Sequence, residues 1–62
     1  MGIEFYPVAI DEVIHTTDSA VLVDIDGEEI WIPKSALERD VIWSDMEIYV
    51  AEWFLNRKGI EY

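Results

Sequence analysis

The sequence predicts a mainly β (α+β) fold: a small antiparallel sheet of four or five strands, strongly curled or closed into an SH3-like barrel, with a one-turn helix and a short C-terminal helix. Three observations predict it. Apolar residues recur mostly with a period of two, an Asp-Gly pair separates two such runs, and a segment with helix-like ends comes only near the C-terminus. The 62 residues (1–62) are expected to form a single domain with one small core.

The first strand is predicted over Val8–His15, a stretch rich in β-branched residues. Pro7 fixes its start and places it at a sheet edge, because proline cannot donate a hydrogen bond to a strand ladder. Thr16–Ser19 follows as a turn, since its side chains bond readily to the local backbone. The sequence therefore predicts one continuous strand before the first turn.

A hairpin around Asp26-Gly27 is the strongest local prediction. The runs AVLVDI and EEIWIP flank this pair, which is favoured in two-residue turns because both central positions need positive φ. With these two residues as the loop, Asp24 lies directly opposite Glu29, and like charges so placed destabilise a ladder. The other face of the hairpin is apolar and predicts a core surface made of Val21, Val23, Ile25, Ile30 and Ile32.

Two further elements are predicted after Pro33. The segment SALE matches a capping box for one helical turn, in which the Ser35 side chain bonds the Glu38 amide and the Glu38 side chain reaches back. The runs VIW and MEIYV on either side of Ser44-Asp45 then predict a second hairpin.

The terminal helix is predicted over AEWFLNRKG. It has an acidic residue in its first turn, basic residues in its last turn, and Gly59 where a helix favours a left-handed residue. Ile60 is expected to contact Leu55, which is the apolar contact that accompanies such a helix end.

The charge of the chain limits its partners. Fourteen acidic residues against four basic ones give a net charge of −10, and residues 1–33 hold eight carboxylates and no Lys or Arg. Direct binding to nucleic acid or to an anionic membrane is disfavoured, because phosphate contacts supply most of such affinity. A basic protein partner is favoured, while solubilising an aromatic-rich domain is the alternative use of the charge. Without a long apolar run or a leader-like start, we expect a cytoplasmic protein.

No catalytic constellation is recognised, so we expect neither an enzyme nor a cofactor. Setting Gly27 at the sixth position of a calcium-binding EF-hand loop puts Leu22 first and Pro33 twelfth, which excludes that loop. A looser cation site among the hairpin carboxylates stays a minor alternative, because alternate strand residues face opposite sides. The lone His15 is expected to be a surface residue rather than a general base.

The three tryptophans, Trp31, Trp43 and Trp53, are expected in the core, because so small a domain needs its large residues buried. Trp31 is the exception. In the predicted register it shares the acidic face of the hairpin with Leu22, so it is either covered by the terminal helix or exposed as an interface anchor.

The stretches AVLVDIDGEEIWIPKSAL and VAEWFLNRKGI resemble a group of very short phage- and prophage-type accessory proteins of no settled biochemical function. The Trp-Ile-Pro-Lys-Ser step at residues 31–35 is the most specific part of the likeness, which covers roughly residues 8–60. Tyr49-Val50-Ala51 departs from the pattern, which has a proline before Glu-Trp. The resemblance implies a viral or mobile-element origin, a place in the host cytoplasm, and the company of genes that often block host defences.

Two functions follow as hypotheses. In the first, the protein is an anti-CRISPR-like inhibitor that presents carboxylates in place of phosphates to the nucleic-acid channel of a CRISPR effector or other host nuclease. In the second, it binds a phage replication or structural protein through Trp31 and an apolar patch. Homodimerisation is left open. The residues assigned to partner binding are Asp11, Glu12, Asp24, Asp26, Glu28, Glu29 and Trp31.

Overall fold

The computed structural model describes residues 2–62 and contains five strands, one 3₁₀ turn and one α-helix. The elements are β1 (Phe5–Ala9), β2 (Glu12–Thr16), β3 (Ala20–Ile25), β4 (Glu28–Pro33), the 3₁₀ turn (Lys34–Ala36), β5 (Glu47–Ala51) and α1 (Glu52–Lys58). All strand pairs are antiparallel, in a two-stranded sheet β1-β5 and a three-stranded sheet β2-β3-β4. The predicted fold class is confirmed, and the two sheets do not close into a barrel.

The β3–β4 hairpin has the predicted turn and register. Asp26 and Gly27 have φ values of 53° and 82°, as a two-residue turn of this type requires. Asp24 lies opposite Glu29, and every other pair follows the predicted register. Because a two-residue loop leaves no freedom in register, the turn alone determines which residues face the core.

One hydrophobic core lies between the two sheets and the helix. From the hairpin, Val21, Val23 and Ile32 are at most 1% exposed, while Ile25 and Ile30 are partly buried against them. The other sheet and the helix complete the core with branched aliphatic residues and one aromatic ring: Val8, Ile48, Val50, Phe54 and Leu55. The apolar face predicted for the hairpin is therefore the core face.

The prediction of one continuous strand over Val8–His15 is wrong, because the segment is divided between two strands in different sheets. The chain leaves β1 at Ile10, whose N–H donates to the Met46 carbonyl at 2.9 Å, and enters β2 in the other sheet. The buried positions change from even to odd numbers between Ile10 and Val13, which a single strand cannot do. Pro7 lies inside β1 rather than at the start of a strand, although β1 is an edge strand as predicted.

The second predicted hairpin is also wrong, because residues 41–46 form a loop without a strand. The Asp45 carboxylate accepts a hydrogen bond from the Ile42 N–H at 2.9 Å, and the Asp45 N–H donates to the Ile42 carbonyl at 3.0 Å. These bonds close the loop locally. β5 pairs with β1 instead.

The capping box does not form, although a single helical turn follows Pro33. No side chain caps this 3₁₀ turn, and the Glu38 N–H donates to the Tyr49 carbonyl at 3.1 Å instead of to Ser35. Pairing of Leu37 with Val50 draws the chain alongside β5, and this tertiary contact replaces the local one.

The terminal helix ends as predicted. Gly59 has φ 70° and ψ 28°, and the Ile60 N–H donates to the Leu55 carbonyl at 3.0 Å. Ile60 itself packs against the core. Across residues 2–62, no helix has the length and apolar character needed to cross a membrane.

Candidate functional site

The outer face of the three-stranded sheet carries a row of three carboxylates. Glu12 pairs with Asp24, and Asp24 pairs with Glu29, so the three side chains stand next to one another on adjacent strands. We call them the acidic row. Strands in a sheet lie about 4.8 Å apart, which sets the spacing of the row. Asp24 alternates along β3 with core residues, so the row points away from the core.

The hairpin tip extends the acidic row. Asp26 is exposed in the turn, and its N–H donates to the Asp11 carboxylate at 3.0 Å. Asp11 lies between β1 and β2 and its N–H donates to the Asp24 carbonyl at 2.8 Å, which holds it beside the hairpin. Glu28 is exposed at the same tip but alternates with Glu29, so it points to the other side of the sheet. Six of the seven predicted residues thus lie at one end of the sheet.

No carboxylate of the acidic row forms an ion pair within the described residues. Among the described residues the one ion pair joins Arg39 to Asp45 at 3.6 Å, away from the row. Oδ1 of Asp24 is enclosed and accepts no hydrogen bond from residues 2–62. Like charges on neighbouring strands repel, and an enclosed carboxylate oxygen without a donor costs free energy. The row therefore carries a local cost that the fold does not require.

The carboxylates of the described residues lack the spacing of a metal centre. No group of three or more His, Asp or Glu side chains in residues 2–62 has a spacing that could hold a metal ion. The looser cation-binding alternative therefore has no geometric support in this part of the chain.

A second row on the same face is aromatic and apolar. His15 pairs with Leu22, and Leu22 pairs with Trp31. This row lies two residues along β3 and β4 from the acidic row. Trp31 is 46% exposed and meets His15 edge-on, with ring centroids 6.1 Å apart. Trp31 was predicted to be either covered by the terminal helix or exposed, and it is exposed, because α1 does not cover it.

The expectation that the tryptophans form the core is wrong. Trp43 is 63% exposed and Trp53 is 40% exposed, in addition to Trp31. The inward positions of the strands are occupied by branched aliphatic residues, which fill the space between the two sheets. Trp53 lies on the outward side of α1, where the Arg57 guanidinium is 5.9 Å from its ring centroid.

Sequence reasoning missed a second exposed apolar surface. Ile42, Trp43 and Met46 are 58%, 63% and 69% exposed in the loop before β5. The Asp45 side chain closes this loop and is also paired with Arg39. The signal in the sequence was Ser44-Asp45, turn-forming residues that compete with strand pairing inside an apolar run.

No known protein family, curated protein or solved structure matches the chain. Function is therefore inferred from the surface itself, and above all from the acidic row and Trp31.

Proposed function

We propose that the protein binds the nucleic-acid channel of a partner, such as a CRISPR effector or another host nuclease, and inhibits it by presenting carboxylates in place of phosphates. The observation that carries this proposal is the acidic row of Glu12, Asp24 and Glu29. Three like charges stand side by side and form no ion pair within the described residues, at a cost that a purely structural face would avoid.

The spacing of the acidic row supports binding to a phosphate-binding surface. Its charges recur about every 4.8 Å across the sheet, while one strand of B-DNA carries a phosphate about every 3.4 Å along the helix axis. Asp11 and Asp26 continue the row past the hairpin tip. Lys and Arg side chains placed to neutralise phosphates would therefore meet carboxylates at a comparable density. The net charge of −10 would also accelerate encounter with a basic surface.

The resemblance to short phage accessory proteins supports the same proposal. A protein of the origin that this resemblance implies would act inside a host cell, where it would meet the basic channels of defence nucleases. The protein needs no catalytic group for this role, because it competes with nucleic acid for the channel.

A second candidate function is favoured by the exposure of Trp31. Tryptophan is one of the residue types enriched at interface hot spots, and Leu22 and His15 extend its contact area. In this alternative the protein holds a phage replication or structural protein through the aromatic row. Both candidates use one face of the sheet, so they differ in which row supplies the binding energy.

The two candidates are separated by matched variants in a nuclease inhibition assay. The row variant is Glu12→Gln, Asp24→Asn and Glu29→Gln, and its control neutralises three exposed carboxylates elsewhere. These are Glu38→Gln, Asp40→Asn and Glu47→Gln, so both variants carry the same net charge. DNA cleavage by CRISPR effectors and restriction nucleases is measured with increasing amounts of each protein.

We expect wild type and control to inhibit one of these nucleases, and the row variant to inhibit at least about tenfold more weakly. Inhibition should also decline steeply with salt, because exposed charges are screened. Equal inhibition by row variant and control would contradict the proposal. Loss of binding in a folded Trp31→Ala protein, with the row variant unaffected, would establish the second candidate.

A further inference from the structure

Three of the four outer sheet edges are protected against pairing with another chain. The far edge of β5 is covered, since Leu37 bridges to Val50 and the Glu38 N–H donates to the Tyr49 carbonyl. That bond directs the Tyr49 groups away from β1. Pro7 lies opposite Tyr49, so its nitrogen faces the outer edge of β1. Proline has no N–H to donate to another chain at that edge. β2 is interrupted by a bulge between Val13 and His15. Covering, proline and bulges are the usual protections of sheet edges.

β4 is the regular edge that remains. In a hairpin with a two-residue turn, the residues that flank the turn, here Ile25 and Glu28, form the first hydrogen-bonded pair. Non-hydrogen-bonded and hydrogen-bonded pairs then alternate along β3 and β4. Ile30 therefore bonds to β3, while Glu29 and Trp31 direct their N–H and C=O groups outward. None of these four groups forms a hydrogen bond outside the ladder within residues 2–62. Both residues are exposed, so the four groups are accessible to another chain.

A groove beside β4 provides space for such a chain. It has a volume of about 340 Å³ and is lined by Glu28, Glu29, Ile30, Trp31 and Lys58. It continues toward a wider groove of about 830 Å³ between the hairpin and the end of α1, where Ile30 and Ile60 form part of the wall. The edge therefore combines unpaired backbone groups with side-chain contacts on both faces.

We propose that a basic, extended segment of the partner adds to β4 as a fourth strand of this sheet. This inference rests on the proposed function and specifies how the basic partner is held. Its backbone pairs with Glu29 and Trp31, and two successive Lys or Arg side chains, which point to opposite faces, meet Glu29 on one face and Glu28 on the other. Main-chain pairing supplies affinity in such complexes and alternate side chains supply specificity.

Charge selects this occupant over a second copy of the chain. Two copies would each bring a net charge of −10, with Glu28 and Glu29 at the contact in both. A basic segment is attracted to the same groups. Lys58 is the one cation lining the groove, so removing its charge should strengthen binding of a basic segment.

The test uses two probes of equal length and charge. One is a peptide in which pairs of Lys alternate with pairs of Thr, so that both faces of the strand carry Lys, and it is about eight residues long so that it spans β4. The other is the corresponding peptoid, which carries the same charges but has no backbone N–H. Binding of each to the whole protein is measured by calorimetry at low salt, and amide hydrogen exchange of the protein is followed by NMR. We expect the peptide to bind about tenfold or more tightly than the peptoid, and to slow exchange at Glu29 and Trp31.

A pair of variants isolates the backbone contribution. Glu29→Gln removes the charge and keeps the N–H, whereas Glu29→Pro removes both at an outward position, as Pro7 does in β1. We expect Glu29→Pro to bind the peptide several-fold more weakly than Glu29→Gln, and Lys58→Ala to bind it more tightly. If Glu29→Pro fails to fold, amide hydrogen exchange at Glu29 and Trp31 of the wild-type protein with bound peptide tests strand addition instead.

Each outcome is decisive. Equal affinity for peptide and peptoid, or no binding of either, overturns strand addition, while the nuclease assay decides the proposed function independently. Slowed exchange on β2 instead of β4 also overturns it. If sedimentation shows a dimer that Glu29→Pro dissociates and the peptide cannot displace, the occupant is a second copy and the inference is wrong.

Discussion

Asp24→Asn is expected to stabilise the protein, because Asp24 is the middle carboxylate of the acidic row. It lies directly across from both Glu12 and Glu29. Like charges in such positions cost from a few tenths to about 1 kcal/mol per pair. Since the substitution relieves two pairs, the free energy of unfolding should rise by about 1 kcal/mol. A neutral amide is also less costly than a carboxylate at the enclosed Oδ1 position.

Thermal unfolding at low salt, followed by circular dichroism, measures this effect. In a domain of this size, about 1 kcal/mol shifts the melting temperature by about 4–8 °C. Asp40→Asn is the matched control, because it removes one exposed carboxylate outside the row. The advantage of Asp24→Asn should shrink at about 1 M salt, where the screening length is about 3 Å.

A melting temperature for Asp24→Asn equal to or below that of Asp40→Asn at low salt would refute the reasoning. It would mean that the carboxylates of the row do not repel one another measurably, or that Asp24 makes a stabilising contact. The row would then no longer indicate a surface maintained at a structural cost.

The remaining predictions concern the helix end and a tyrosine. Gly59→Ala should lower the free energy of unfolding by about 1 kcal/mol, since Gly59 has φ 70° and alanine disfavours that region although a Cβ would meet no atom within 4 Å. Denaturant unfolding measures this, and Gly2→Ala, equally open but without positive φ, should be neutral. A hydrogen bond to Glu4 at 2.6 Å raises the pKa of Tyr6 from 10.0 to about 12. The stability due to this bond is complete below pH 10 and is lost as pH rises toward 12. Absorbance at high pH should show one late-ionising tyrosine that Glu4→Gln shifts to lower pH, and an unchanged titration would contradict this.

Two of the three carboxylates of the acidic row could be placed side by side from the sequence. The position of Asp24 opposite Glu29 follows from Asp26-Gly27, because a two-residue loop fixes all pairs of its hairpin. Glu12 joins the row only because β2 pairs with β3 across a bulge. A register that depends on a longer connection and a bulge is not determined by local residues.

The exposure of the tryptophans could not be predicted from the sequence, for a related reason. Burial depends on which faces meet, and the pairing of β5 with β1 leaves residues 41–46 outside any sheet. Trp43 is exposed as a consequence. The branched aliphatic residues already fill the space between the sheets, so no inward position required a tryptophan.

The sequence by itself determined the features that depend on neighbours along the chain. These are the hairpin with its register, the left-handed helix end at Gly59, and the concentration of negative charge before Lys34. Tertiary structure decided the division of Val8–His15 between two sheets, the loss of the capping box at Ser35, and the protection of every outer edge except β4. The physical reason is the distance along the chain over which the interactions act. Turns and caps are set by a few adjacent dihedral angles, whereas strand partners and exposed faces depend on contacts between residues far apart in the chain.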